Sequence, residues 1–392
     1  MSIQHLPSID MQSSKNYFIS YGRKESKAFA TRLYASIQKN GETAWFDQVN
    51  IPKGDDFQRR IDDGIESSDN FIFILSPHSI KSEYCRKEID LAIALGKRII
   101  PILHVEPTES SVWDQMHPVI GKINWIYMRE QYEEGKSLEE LEAIDDYHNG
   151  IKELFSLSSN YKAYVEEYTQ LTLLALDWDR GGRKGVDLLV GKERQSAITW
   201  LQREFIAPEQ PPCTPNILVC SYLSESKKNA EGMMSEVFIA HSETDKKEGE
   251  AVRHYLSRYG ITSWNYRSDI KGGANYREEI EKGILESDVL VVILSEDSLQ
   301  SDYIHQELEL AQSYHKRIIP ISFASLSQSL PSILKETQYL DLSKEGNDLR
   351  HLVTQLEKEQ SYYSQHKEYL VKAKRWERQG NNSSILLRGH AL

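Results

Sequence analysis

Asn70-Phe71-Ile72-Phe73-Ile74-Leu75, followed by a helical stretch over 82–95 and then by Lys97-Arg98-Ile99-Ile100-Pro101-Ile102, decides the fold. Two short β-rich runs flank a segment with helical spacing, the order of a right-handed crossover between neighbouring parallel strands. The run 71–75 is apolar at every position, which predicts a central strand covered on both faces. Working outward, 17–20, 43–46 and 124–127 read as further strands, and 25–39 and 56–66 as further helices, with Phe29, Leu33 and Ile37 on one helical face. Five strands alternating with helices predict an α/β domain of flavodoxin-like layout, a parallel five-stranded sheet with helices on both sides.

Lys97-Arg98-Ile99-Ile100-Pro101-Ile102 returns unchanged as Lys316-Arg317-Ile318-Ile319-Pro320-Ile321, an offset of 219. The same offset carries Gly41 onto Gly260, Trp45 onto Trp264, Gly64-Ile65 onto Gly283-Ile284 and Glu88 onto Glu307. Phe18-Ile19 meets Phe238-Ile239 at 220, so one residue was gained or lost before Gly41. The domain has been duplicated. A shorter repeat follows each copy: Ala175, Trp178, Gly182, Leu188, Leu189 and Gly191 recur at offset 198 as Ala373, Trp376, Gly380, Leu386, Leu387 and Gly389. The smaller offset places extra residues in the first copy, and the acidic run 130–146 is their expected position. Pro208, Pro211, Pro212 and Pro215 read as an extended linker. The expected organisation is a first domain at 14–150, a helical segment at 151–207, a linker at 208–233, a second domain at 234–345 and a second helical segment at 346–392. The first tail runs on to Trp200-Leu201 whereas the second stops at Leu392, so either that tail is shortened or the chain is part of a longer one.

Composition narrows the function classes. The 392 residues are 39% hydrophobic and 27% charged, a globular balance that excludes global disorder. A net charge of −12 without a basic patch argues against nucleic acid and anionic membrane surfaces as partners. The longest apolar runs are strand-sized, so no membrane span is expected, and 1–14 lacks the basic start and apolar middle of a secretory signal. Cys85, Cys213 and Cys220 have neither CxxC spacing nor nearby His ligands; no disulfide framework or metal site is indicated, and a reducing cytoplasm fits.

In an open parallel sheet the ligand crevice lies at the carboxyl ends of the strands. Ser20-Tyr21-Gly22-Arg23 follows the first strand, Asp47 and the loop 48–55 the second, and Ser76-Pro77-His78-Ser79 the third. The next helix carries Tyr84 and Glu88, four residues apart and hence on one face. Each has a bland alternative: Tyr84 and its counterpart Tyr303 as core aromatics, Arg23 as a surface cation, Ser20 as turn support, Trp45 as core, Cys85 as a small packing residue.

Phe18-Ile19-Ser20-Tyr21, the stretch from Trp45-Phe46-Asp47 to Gly54, and Ser82-Glu83-Tyr84-Cys85-Arg86-Lys87-Glu88 resemble the bacterial type of Toll/interleukin-1 receptor (TIR) homology domain. Phe238-Ile239-Ala240-His241, the stretch from Trp264 to Gly273, and Ser301-Asp302-Tyr303-Ile304-His305-Gln306-Glu307 resemble it again, which implies a tandem TIR protein. The resemblance implies cleavage of NAD+ at the nicotinamide–ribose bond, giving ADP-ribose or a cyclic product, with NAD+ as substrate rather than cofactor. It places the catalytic role on Glu88 and Glu307, and substrate contacts on Ser20, Tyr21, Arg23, Phe46, Asp47, Tyr84 and Tyr303. Arg23 is expected to meet phosphate or to shape the crevice, and Phe46 to offer an aromatic face. Bacterial antiviral defence or stress signalling, and self-assembly with other TIR domains, are further implications. The second copy has Ala240-His241-Ser242-Glu243 after its first strand and Asn265-Tyr266 in place of Phe46-Asp47, so the first is expected to be the better enzyme. A rival expectation is a non-catalytic adaptor docking other TIR domains through 48–55 and 269–274.

Overall fold

All eight residues of the strand Ser68–Leu75 are buried: the apolar run 71–75 as a strand covered on both faces requires, and with it the polar Ser68, Asp69 and Asn70. The structure, a computed structural model, describes residues 14–50, 57–129, 146–206, 209–230, 234–264, 275–326, 330–335, 337–345 and 348–378. The chain divides into two units, Met1–Gly182 with Glu204–Val219 and Arg183–Arg203 with Cys220–Leu392.

In the first unit β1 (Lys15–Tyr21), β2 (Ala44–Trp45), β3 (Ser68–Leu75), β4 (Arg98–Leu103) and β5 (Ile126–Tyr127) form a sheet ordered β2-β1-β3-β4-β5, parallel at every pairing. The two-residue alternation of the strands divides their side chains between two cores. Tyr17, Ile19, Ile72 and Ile74 meet the helix Lys27–Lys39 through Phe29, Leu33 and Ile37. Phe18, Phe71 and Phe73 meet the helices Phe57–Glu66 and Glu83–Ala94 through Ile61, Ile65 and Ile89. The second unit repeats the plan with β6 (Ser235–Ala240), β7 (Ser263–Trp264), β8 (Ser287–Leu294), β9 (Arg317–Ser322) and β10 (Leu340–Asp341), again all parallel, ordered β10-β9-β8-β6-β7. This is the expected fold class, with edge strands shorter than the sequence suggested.

The repeated Lys-Arg pair proves structural. Lys97 Nζ donates to the carbonyls of Glu66 and Ser68, both at 2.8 Å, and Lys316 Nζ to those of Leu285 and Ser287 at 2.8 and 2.5 Å. Each ammonium thereby satisfies carbonyls left open where a helix gives way to a strand. Arg98 donates to the carbonyls of Leu157 (2.9 Å) and Asn160 (2.7 Å), Arg317 to those of Gln355 (2.8 Å) and Lys358 (3.0 Å). The arginines thus fasten the helical segment that follows each sheet: Asp146–Ser159 and Lys162–Arg180 in one unit, Arg350–Glu357 and Gln360–Arg378 in the other. Tyr161 and Glu359, 198 residues apart, both take a left-handed φ (57° and 58°) at the break between the paired helices.

Two sequence expectations change. Residues 208–233 are not an extended linker throughout, because Ile217–Ala230 form a helix with Val219, Cys220, Tyr222 and Leu223 fully buried. Asn216 starts that helix by accepting from the Val219 N–H at 2.9 Å. Tyr84 and Tyr303 are not core aromatics, being 65% and 71% exposed. Residues 130–145 of the acidic run, and Gly380, Leu386, Leu387 and Gly389 of the tail repeat, lie outside the described residues. Among the described residues no helix is long and apolar enough to cross a membrane.

Candidate active site

Where β1 ends, the chain must pass very close to the turn that follows β3. Gly22 permits this, since a Cβ there would stand 2.7 Å from the Ser79 amide nitrogen. The approach brings the end of β1 alongside the helix Glu83–Ala94. Ser82 caps this helix by accepting from the Cys85 N–H at 3.3 Å. Ser20 Oγ donates to Glu88 Oε2 at 2.5 Å, across 68 residues of sequence. Burial pushes the Glu88 carboxyl up to about 7; the Asp47 carboxylate also raises it, while the Ser20 hydrogen bond and Arg23 draw it down. A carboxyl so poised exchanges its proton near neutrality, as acid–base and electrostatic catalysis both require.

Glu88 forms part of the wall of a cavity of about 750 Å³, together with Ile19, Tyr21, Arg23, Trp45, Asp47, Phe57 and Tyr84. Asp47 organises one side. It accepts from Tyr21 Oη at 2.8 Å and from Arg23 Nη2 and Nε at 2.6 and 3.1 Å, while Gln48 Nε2 donates to Tyr21 Oη at 2.9 Å. Burial, and then Asp47, hold the Tyr21 hydroxyl firmly protonated. The Arg23 guanidinium lies 5.3 Å from the centre of the Phe57 ring. Arg23 therefore reaches the cavity already paired with Asp47.

Seven of the expected residues meet the structure as follows. Tyr21, Arg23, Asp47, Tyr84 and Glu88 line one cavity, and Ser20 stands behind Glu88. Phe46 does not join them. It is 2% exposed on the opposite side of the sheet, stacked on Tyr34 at 5.2 Å and against Tyr21 at 5.6 Å. Alternation at the end of β2 sends Phe46 away and brings Trp45 to the cavity, where it also stacks on Phe18 at 4.6 Å. Gly64 makes room for that indole, since a Cβ there would lie 2.6 Å from the ring. Phe57, not foreseen, was detectable in the duplication: its counterpart at offset 219 is also aromatic, Tyr276. Cys85 is a packing residue, buried beneath the site, with its thiol pushed up to about 11 by burial and then by Glu88.

The second unit has a smaller cavity, about 380 Å³, walled by Tyr276, Ile280, Glu281, Tyr303, Glu307 and Leu310 among others. Ala240 stands where Ser20 does in the first, and Glu307 Oε2 is buried with no hydrogen-bond partner among the described residues. Burial alone pushes this carboxyl up to about 8. His241, in place of Tyr21, turns against Gly249, where a Cβ would be 2.5 Å from its ring. Asn265 and Tyr266, with the loops 51–55 and 269–274, lie outside the described residues.

Residues 18–142 and 237–355 match the family model of the TIR domain, together more than half of the chain. Among curated proteins, the chain is 30% identical over 109 residues to a probable 2' cyclic ADP-D-ribose synthase, TcpB, of Brucella melitensis, covering 26% of this chain and 44% of that protein. It is 34% identical over 91 residues to the NAD(+) hydrolase PdTIR of Paracoccus denitrificans, covering 22% and 30%. The chain thus spans less than half the length of either relative. Among solved structures, the TIR domain of the Toll-related receptor TRR-2 from Hydra magnipapillata is 23% identical, with a TM-score of 0.28, covering 31% of this chain and 98% of that one.

Proposed function

The chain belongs to the TIR domain family, and from that premise we propose that its first half is an NAD+ nucleosidase, cleaving the bond between nicotinamide and ribose. The observation that carries the reading is the Glu88 carboxyl, held by Ser20 on the wall of a cavity that Trp45, Phe57 and Tyr84 share with charged side chains such as Arg23 and Asp47. The names of the relatives, an NAD(+) hydrolase and a probable cyclic ADP-ribose synthase, support it.

The chemistry asks little of the protein. The C–N bond of NAD+ breaks with its electron pair going to the ring nitrogen, so nicotinamide departs neutral and needs no acid to protonate it, unlike the leaving alcohol of an ordinary glycoside. The ribosyl carbon becomes cationic. Ionised Glu88 beside it stabilises that charge, and in a site withdrawn from water a fixed carboxylate is worth far more than in bulk solvent. The Ser20 hydroxyl favours the ionised form and fixes its direction. Tyr84, Trp45 and Phe57 supply flat apolar surfaces for the nicotinamide and ribose. Water attacking the cation, with loss of a proton, gives ADP-ribose; attack by the substrate's own adenine, again with loss of a proton, gives a cyclic product.

In the second half Glu307, whose buried Oε2 has no hydrogen-bond partner among the described residues, lies in a smaller cavity, which favours a different part, weak turnover or a supporting role in assembly. The wider setting in this reading is a cytoplasmic bacterial protein of defence or stress signalling, active through homo-oligomeric contacts between TIR domains. Nicotinamide release by the concentrated, purified chain tests the core claim. Glu88→Gln is expected to abolish release and Glu307→Gln to leave most of it; equal release from wild type and Glu88→Gln refutes the assignment.

A further inference from the structure

Each sheet carries a buried carboxyl at the start of its central strand. Asp69 stands second in β3 and Asp288, its counterpart at offset 219, second in β8, and they are 3% and 2% exposed. A carboxylate withdrawn from water needs a cation or hydrogen bonds to stay ionised.

The helix that follows each sheet answers this need differently in the two units. Lys162–Arg180 and Gln360–Arg378 begin and end at the repeat offset of 198. In the second unit Lys367 Nζ stands 2.9 Å from Asp288 Oδ1 and donates to the Ser235 carbonyl at 3.1 Å, while Ser364 Oγ donates to Asp288 Oδ2 at 3.1 Å. At the same offset the first unit has Thr169 for Lys367 and Glu166 for Ser364, a neutral group and a carboxylate. Thr169 Oγ1 donates to the carbonyls of Val165 at 3.2 Å and Ser68 at 3.5 Å. Asp69 Oδ1 is left buried with no hydrogen-bond partner among the described residues. Asp288 Oδ1 also lacks an aligned hydrogen bond, but it has the ammonium beside it.

The other charged and titratable groups around Asp69 do not replace that lysine. Lys97 and Arg98 are spent on the backbone carbonyls already described, and burial pushes the Cys213 thiol near them up to about 12, so that it stays neutral. Lys162 faces Glu166 on its own helix at 3.8 Å. Tyr17 Oη lies within hydrogen-bond distance of Glu42 and Ser158, at 2.9 and 2.6 Å. Glu66, at the end of the helix before β3, is paired with Arg180 at 2.5 Å. The cavity shared by Asp69, Glu42 and Lys162 measures about 10 Å³, room for one water and no side chain. Burial therefore dominates and pushes the Asp69 carboxyl up to about 6; Thr169 and Lys97 draw it down, and Glu166 raises it.

We propose that Asp69 is a proton-operated latch, sealing the helix Lys162–Arg180 against the first sheet when protonated and loosening it when ionised, whereas Lys367 keeps the equivalent helix of the second unit fastened. The proposal does not depend on the reading of the active site.

Hydrogen exchange of the full chain from pH 5 to 8, with exposure times scaled for the intrinsic rate, reads the two helices side by side. A carboxyl at about 6 when sealed and at about 3.9 when exposed favours the closed state at low pH and loses that hold as the pH climbs through 6. Protection of 162–180 is thus expected to fall roughly tenfold over this range, and that of 360–378 to fall less. Asp69→Asn, equal in size and unable to ionise, is expected to abolish the fall in 162–180. Lys367→Met is expected to steepen the fall in 360–378. Protection of 162–180 that is level in the wild type, or that falls as steeply in Asp69→Asn, overturns the proposal, and so does a 360–378 helix indifferent to Lys367→Met.

Discussion

Ser20→Ala isolates what one hydroxyl does for Glu88, and the second half offers a comparison in which that hydroxyl is missing along with the neighbouring charges of Asp47 and Arg23. There the alanine is native at position 240, and the carboxyl sits at about 8 rather than at about 7. One unit corresponds to about 1.4 kcal/mol, at the lower edge of what a hydrogen bond to a charged group contributes, about 1.5–3 kcal/mol. Moving Glu88 by that unit leaves roughly a tenth of it ionised at pH 7 instead of about half, so NAD+ turnover is expected to fall roughly fivefold. The sign is decisive. The carboxylate is the active form, so activity lost at pH 7 returns as the pH rises past 8, and the acid limb of the kcat profile shifts alkaline by about one unit. The assay is nicotinamide release across pH 5.5 to 9.5 for wild type and Ser20→Ala. A variant with lowered activity but an unmoved acid limb shows that Ser20 only packs, and the electrostatic account of Glu88 fails.

Two further outcomes follow from burial. Glu307 binds its proton more tightly folded than unfolded, so its native form is unpenalised below about pH 4.3 and loses stability as the pH climbs towards 8. Glu307→Gln is therefore expected to raise the unfolding temperature at pH 9, by an amount equivalent to a few kcal/mol, and to leave it unchanged at pH 4; equal shifts at both pH values contradict this. Gly64→Ala forces a Cβ to within 2.6 Å of the Trp45 indole and is expected to cost about 1–3 kcal/mol in denaturant unfolding while moving the cavity wall, so that KM for NAD+ rises; an unperturbed Tm and KM refute the packing argument.

Whether a given residue faces a ligand or a core depends on parity and neighbourhood. The strand from Ser68 to Leu75 and the helical face of Phe29, Leu33 and Ile37 were legible because their patterns are local: apolar continuity and a fixed spacing report on the faces each element must bury. Duplication was legible because identical residues recur at one offset, and Glu88 because the residues around it resemble a known family. The partnership of Glu88 with Ser20 was not, since it joins positions 68 residues apart through the meeting of β1 with a helix. Nor was the exchange of Phe46 for Trp45, because sequence places both at the end of one strand and only the packing of the helix Phe57–Glu66 shows which side holds the cavity. The Lys-Arg pair illustrates the same limit: its repetition marked it as important, but its partners are backbone carbonyls, which no side-chain pattern reveals.

From its order of residues alone this protein was bound to form two parallel α/β sheets, since the burial that drives each strand and helix is written in its own spacing. Tertiary contact decided the chemistry. Whether a buried carboxyl meets a hydroxyl or is left without a partner emerges only when distant segments are brought together, because hydrogen bonds and charge act across space and not along the chain.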